Sequence, residues 1–235
     1  MADNILEVNN IHTFIGQFHI LEGVSVTVPQ GSITVLLGRN GAGKTTTLRS
    51  IMGINPASEG DILFKGESIL RRRAFDVARM GVGYVPEHRA IFGALTVCEN
   101  LELAQHQRGE LERKADFIFE LFPDLKRLYK LSGKNLSGGQ QQMLSIARAL
   151  VPDNQLLLID EPSEGLAPVI IEALMEAIQR LSEQTTVLLV EQNFIMASKL
   201  ANHYIIIDDG RSVRSGEMAE LAQDRELVQK YLGVA

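Results

Sequence analysis

The chain has 235 residues, 45% of them apolar, which suits the core of one α/β domain with room for an inserted subdomain. Its formal net charge of −6, from 23 basic and 29 acidic side chains, speaks against a nucleic-acid-binding surface. One cysteine, Cys98, excludes an intramolecular disulfide and fits a reducing compartment, and no apolar run approaches the ~18 residues that span a bilayer.

Met1 to Val8 carries acids and no long apolar stretch, so it does not read as a signal peptide. The N-terminal third alternates short β-rich runs with turns. Val24, Val26 and Val28 alternate with polar or small residues, as on a half-buried strand. Ile33 to Leu37 is a continuous apolar run, expected of a strand covered on both faces, and Thr45 to Met52 reads as helix. Arg71-Arg72-Arg73 reads as a solvated helix start. Apolar runs recur at Val82 to Val85, Leu156 to Ile159, Val187 to Val190 and Tyr204 to Ile207. Ile171, Leu174, Met175, Ile178 and Leu181 sit at helical spacing between two of them. Strand, helix, strand in this order predicts an α/β fold with a mainly parallel sheet.

From about residue 88 to 135 the strand signal fades. Leu111, Ala115, Ile118, Phe119 and Phe122 mark one helix face, ended by Pro123. This stretch reads as a helical subdomain inserted between two core strands, with the core formed by residues 1–87 and 136–235. Asp209-Gly210-Arg211 reads as a hairpin turn, followed by one short helix near Met218 to Tyr231.

Chemistry concentrates at three places. Residues 38 to 46 read Gly-Arg-Asn-Gly-Ala-Gly-Lys-Thr-Thr, directly after a buried strand and before a helix. Gly38, Gly41 and Gly43 permit a tight turn whose N–H groups point at an anion, with Arg39, Asn40 and Ala42 between them. Lys44 is placed to reach the β- and γ-phosphates of a nucleotide, Thr45 to ligate Mg²⁺, and Thr46 to bond phosphate. Leu156 to Ile159 ends in Asp160-Glu161, at the carboxyl end of a strand, where α/β sheets place ligands. Asp160 is expected to hold Mg²⁺ and Glu161 to orient or deprotonate a water. Ser137, Gly138, Gly139 and Gln140, in Leu136 to Gln140, open a second helix suited to anions. One ATP does not need two cradles from one chain, whereas two chains head to tail supply one each.

These segments, in this order, resemble the ATP-binding cassette (ABC) family over essentially the whole chain. The resemblance implies a P-loop ATPase core with an N-terminal antiparallel β region and an inserted helical subdomain. It also implies a nucleotide-sandwich dimer closed by ATP and opened by hydrolysis. Tyr84-Val85-Pro86-Glu87, Glu161 to Pro168, Val190-Glu191-Gln192-Asn193 and Tyr231-Leu232-Gly233-Val234 look most like ATPase subunits of branched-chain amino acid importers, with urea and short-amide importers as close relatives. Implied partners are permease subunits, a second ATPase subunit (the same chain or a related one) and, indirectly, an extracytoplasmic solute-binding protein. The implied location is the cytoplasmic face of the plasma membrane.

The chain departs from the general family pattern. Glu87 stands where most members have a glutamine near Mg²⁺, and Gln192 where most have a histidine contacting the γ-phosphate. Ala167 replaces the usual Asp of the loop after Glu161. Ile15 falls where an aromatic residue stacks on adenine, leaving Phe14, with Phe18 as the alternative, to supply the ring. A docking groove for permease helices is expected near Glu87 to Val97, with Ile91, Phe92 and Leu95 as its apolar floor. Two other readings are a non-transport ABC ATPase and an ATP-gated binding module with negligible turnover.

Overall fold

A computed structural model of the chain describes residues 3–233, so Val234 of the C-terminal motif lies outside the described residues. β1 (Asn4–Ile15) and β2 (Phe18–Pro29) form a long antiparallel hairpin. With β4 (Glu59–Phe64) and β5 (Glu67–Ser68) they make a four-stranded sheet in the order β2-β1-β4-β5. The second sheet contains β3 (Ile33–Leu37), β6 (Val82–Val85), β7 (Leu156–Asp160), β8 (Thr186–Val190), β9 (His203–Asp208) and β10 (Arg211–Glu217), ordered β10-β9-β3-β8-β7-β6. Its pairings are parallel except β9 with β10.

Every residue of β3, β7 and β8 is buried, as continuous apolar runs demand of strands covered on both faces. Alternation along the strands divides the core in two. Val35, Leu37, Leu157, Ile159 and Leu189 face one cluster with the helices α6 (Gly138–Leu150), α7 (Pro168–Leu181) and α8 (Phe194–Leu200). Leu36, Leu156, Leu158, Leu188 and Val190 face the other, closed by α1 (Lys44–Ile51) and the antiparallel sheet. The expected parallel sheet, N-terminal antiparallel region and helical covering are all present.

Arg73 is the N-cap of α2 (Ala74–Arg79), pairs with Asp76 at 3.2 Å and is exposed, as its basic run predicts. Between β6 and β7 the chain is helical: α3 (Val97–Glu102), α4 (Glu110–Leu121) and α5 (Pro123–Arg127). Leu111, Ile118 and Phe122 are buried against α6 and its neighbours. Pro123 does more than end α4: at the first position of α5 its missing N–H costs nothing, and the chain turns directly into a new helix. The turn at Asp209 (φ 45°) and Gly210 (φ 71°) has the two left-handed residues of a tight hairpin. The single C-terminal helix is in fact two, α9 (Met218–Leu221) and α10 (Arg225–Leu232). Asp224 accepts from the Leu227 N–H at 3.0 Å and so starts the second afresh.

Candidate active site

Four adjacent strands of the parallel sheet, β3, β8, β7 and β6, end side by side, and the segments that leave them, with the β1–β2 hairpin, form one cavity of about 420 Å³. The loop after β3 supplies Asn40, Gly41, Gly43, Lys44, Thr45 and Thr46 to its lining. The end of β7 supplies Glu161 and Glu164, the end of β8 supplies Gln192, and the end of β6 supplies Glu87. Residues far apart in sequence meet here because parallel strands place all their carboxyl ends on one edge.

The loop is built to hold its shape around an anion. A Cβ on Gly38 would sit 2.1 Å from the Ile207 carbonyl oxygen of β9, so only glycine lets the loop leave β3 this close to its neighbour. Gly43 begins α1 without any side-chain cap, which leaves the first-turn N–H groups available to a phosphate. The Lys44 side chain is 4% exposed, and its ammonium donates to the carbonyls of Gly38 (3.0 Å) and Arg39 (3.1 Å). The same Nζ lies 3.3 Å from the Glu161 carboxylate.

Asp160 is fully buried. Its Oδ1 accepts from Thr45 Oγ1 at 3.0 Å and its Oδ2 from the Tyr84 hydroxyl at 3.2 Å. Burial pushes its carboxyl above the usual range, against the two hydrogen bonds that lower it. Burial, then the charge of Asp160, pushes the Tyr84 phenol up to about 12, so it stays a donor. Glu161 has φ 43°, a left-handed conformation rare outside glycine and found where surrounding structure over-determines the backbone. Its N–H donates to the Val190 carbonyl at 2.9 Å, and its Oε2 accepts from Gln192 Nε2 at 2.7 Å. Glu164 is raised chiefly by a hydrogen bond to Glu87 and by that neighbour's charge.

The structure brings together Asn40, Gly41, Gly43, Lys44, Thr45, Thr46, Glu87, Asp160, Glu161 and Gln192. It does not bring in Phe14. That ring is half exposed and stacks on His19 at 4.1 Å, while Ile15 and Ile20 line the cavity and Phe18 is 65% exposed. Gly38, Arg39 and Ala42 also stay off the lining: Gly38 packs against β9, Arg39 donates to the Lys230 carbonyl at 3.1 Å and Ala42 is buried behind the loop. Ser137, Gly138, Gly139 and Gln140 lie outside the cavity altogether. Ser137 and Gln140 cap α6 reciprocally, Ser137 and Gly138 face solvent, and Gly139 is buried, where an added Cβ would meet the Ile170 side chain at 2.8 Å. Three participants escaped the sequence reading. Tyr84 and Glu164 carry no local signal, but Glu191 ends an apolar run just as Asp160 does.

A separate cleft of about 350 Å³ lies beyond β6, lined by Pro86, Arg89, Ala90, His106 and Arg148 among others. Of the apolar residues expected to floor it, none lines it. Ile91 packs into the core, and Phe92 is half exposed under the Arg148 guanidinium at 4.7 Å.

Sheet order, loop and strand-end acids together define a P-loop nucleotide hydrolase. A sequence profile of the ABC transporter family matches residues 21–164. The chain is 40% identical to BraG of Pseudomonas aeruginosa, a high-affinity branched-chain amino acid transport ATP-binding protein, over 97% of this chain and 100% of that one. It is 33% identical to the lipopolysaccharide export ATP-binding protein LptB of Escherichia coli K12, over 91% of each chain. The crystal structure of the ADP conformation of an ATP-binding cassette of an ABC transporter superposes with TM-score 0.86 at 26% identity, covering 99% of this chain and 100% of that one. The chain belongs to the ABC transporter family and is an ATP-binding, ATP-hydrolysing subunit.

Proposed function

We propose that this chain powers an importer of branched-chain amino acids or of similarly small polar solutes such as urea or amides. The observation that carries the reading is the meeting of Lys44, Glu161 and Gln192 at one strand edge. The 40% identity to BraG, over 97% of this chain and 100% of that one, supports the cargo class.

Lys44 and the uncapped start of α1 take the phosphates, and the Lys44 ammonium exchanges its two carbonyl partners for phosphate oxygens. Glu161, held by Lys44 and Gln192, orients and deprotonates the attacking water, and the Gln192 amide hydrogen-bonds the γ-phosphate. The donor set of a threonine hydroxyl and carboxylates, all oxygen, fits a hard cation, and only Lys44 among the lining residues offers positive charge against Glu87, Glu161 and Glu164. Thr45, Asp160 and Glu87 would hold Mg²⁺, which when bound neutralises charge on the phosphates. Ile15 and Ile20 give the adenine an apolar wall in place of an aromatic ring.

Ser137 to Gln140 sit apart from this cavity, which supports completion of each site by a partner ATPase subunit. Residues from about 88 to 135 form the inserted helical subdomain, whose apolar residues pack into the same core as α6 and β7, and the cleft at Pro86, Arg89 and Arg148 receives a permease helix. Among the described residues no helix is long and apolar enough to cross a membrane. The reading therefore places the chain peripherally on the cytoplasmic face, with permeases in the membrane and a solute-binding protein outside. Uptake of labelled leucine by cells lacking the chain tests the cargo. The parent restores uptake and Lys44→Ala does not; uptake indifferent to the deletion overturns it.

A further inference from the structure

Glu191 is a carboxylate the hydrolysis reading leaves unused, in a place where a carboxylate is costly. It follows β8 and is 2% exposed. Its Oε1 accepts three hydrogen bonds, from Ser163 Oγ at 2.9 Å, Gln192 N–H at 2.8 Å and Asn193 N–H at 2.9 Å. Its Oε2 is buried and has no hydrogen-bond partner among the described residues. Burying a carboxylate with one oxygen unpaired is unfavourable, so the three hydrogen bonds gathered on its other oxygen call for a role.

Capping the following helix is not that role, because Asn193 already caps α8 through the Met196 N–H at 3.1 Å. What distinguishes Glu191 is the bond to Ser163, two residues beyond Glu161 and 28 residues away from Glu191. With it the two loops close into a ring. Ser163 joins Glu191, Glu191 fixes the Gln192 backbone, the Gln192 amide meets Glu161, and the Glu161 N–H returns to the Val190 carbonyl at 2.9 Å. Glu161 sits in this ring with its left-handed φ of 43°. A backbone in that conformation persists only where its surroundings fix it from several sides. Ser163 on one side and Val190 on the other do so here.

We propose that Glu191 is a positioning residue for hydrolysis: it ties the Ser163 loop to the Gln192 loop and so holds the Gln192 amide against Glu161. This rests on the reading of Glu161 and Gln192 as the hydrolytic pair. Glu191 does not line the cavity and acts through Gln192.

The test uses the full-length chain with ATP, reading single-turnover hydrolysis, nucleotide affinity and thermal unfolding for Glu191→Leu, Glu191→Gln, Ser163→Ala, Gln192→Ala and the Glu191→Leu/Gln192→Ala double variant. Misplacing a reacting group by about 1 Å costs on the order of 100-fold, so Glu191→Leu is expected to lose about 10- to 100-fold in rate. Its ATP affinity stays near the parent's, because the phosphate loop is untouched. Glu191→Gln keeps an oxygen for the same three donors and restores most of the rate. Ser163→Ala, which removes only the bond between loops, loses rate in the same direction even if Glu191→Leu fails to fold. The double variant is no slower than the slower single, since both changes break one link. Parent rates in Glu191→Leu or Ser163→Ala overturn the proposal. So do losses that multiply in the double variant, or a fall in ATP affinity and thermal stability matching the fall in rate. Full activity of Glu161→Gln would instead bring down the underlying site reading.

Discussion

Gly38→Ala and Gly41→Ala form a pair of substitutions with sharply different costs inside one loop. At Gly38 an added Cβ meets the Ile207 carbonyl oxygen at 2.1 Å and Ala42 Cβ at 3.3 Å. The first is backbone of β9, paired in register with β3, so neither side can swing away as a side chain would. Forcing atoms into a packed site costs about 1–3 kcal/mol, and holding a non-glycine residue at the Gly38 φ of 150° adds about 1–3 kcal/mol. At Gly41, φ is 81° and nothing lies within 4 Å, which leaves only a left-handed penalty of about 1–2 kcal/mol. Alanine stiffens the unfolded chain equally at both positions, so that contribution cancels in the comparison. Gly38→Ala is therefore less stable than Gly41→Ala by about 2–3 kcal/mol. Guanidinium unfolding of both variants without nucleotide measures the difference at constant m. Equal midpoints, or a more stable Gly38→Ala, would refute the packing argument.

Glu87→Gln removes one of the carboxylates crowding Glu164 and Glu161, and basal phosphate release by the isolated chain rises; equal rates and equal coupling to the permease contradict this. Asp160→Asn keeps an oxygen for the Tyr84 hydroxyl and turns an amide N–H toward Thr45 Oγ1, which then accepts, while removing a buried charge. Because the folded pKa of Asp160 is raised, its ionised form opposes folding above that value. The penalty fades as pH falls through the raised pKa toward the ordinary value of 3.8. In EDTA without nucleotide, Asp160→Asn thus unfolds at higher denaturant than the parent at neutral pH, with an advantage that shrinks on acidification. An advantage that grows on acidification gives the wrong sign. Buried Asn100 accepts from the Phe92 N–H at 2.9 Å and donates to the carbonyls of Phe92, Leu95 and Thr96. Asn100→Ala costs about 2–3 kcal/mol in denaturant unfolding by orphaning these groups, and an unchanged midpoint counts against it.

The phosphate loop and Asp160-Glu161 were legible because their chemistry demands particular residue types at contiguous positions. The strands Ile33–Leu37 and Leu156–Asp160 were legible because burial on both faces leaves an unbroken apolar run. Phe14 shows where such reading stops. The β1–β2 pairing shifts register between Thr13 and Phe14, and a one-residue slip exchanges the faces of a strand. Ile15 reaches the cavity, at the position the sequence assigned to it; what no local pattern announces is the bulge that keeps Phe14 from supplying the missing ring. Tyr84 was invisible as an Asp160 donor because β6 meets β7 only in the fold. Glu191 was readable, since an acid ends the Val187–Val190 run just as one ends Leu156–Ile159. The break at Asp224 was readable too, in the capping side chain that precedes Leu227.

Everything turns on whether nucleotide binds at a seam completed by a second protomer's Ser137 segment. Light scattering on Glu161→Gln, from a 25.9 kDa chain, measures this directly. Its mass doubles when ATP is added with Mg²⁺, and adding Ser137→Arg abolishes the doubling while leaving ATP affinity at the Lys44 loop unchanged. A Glu161→Gln chain that binds ATP yet remains a monomer both alone and mixed with the related ATPase subunit, or a dimer indifferent to Ser137→Arg, contradicts the account.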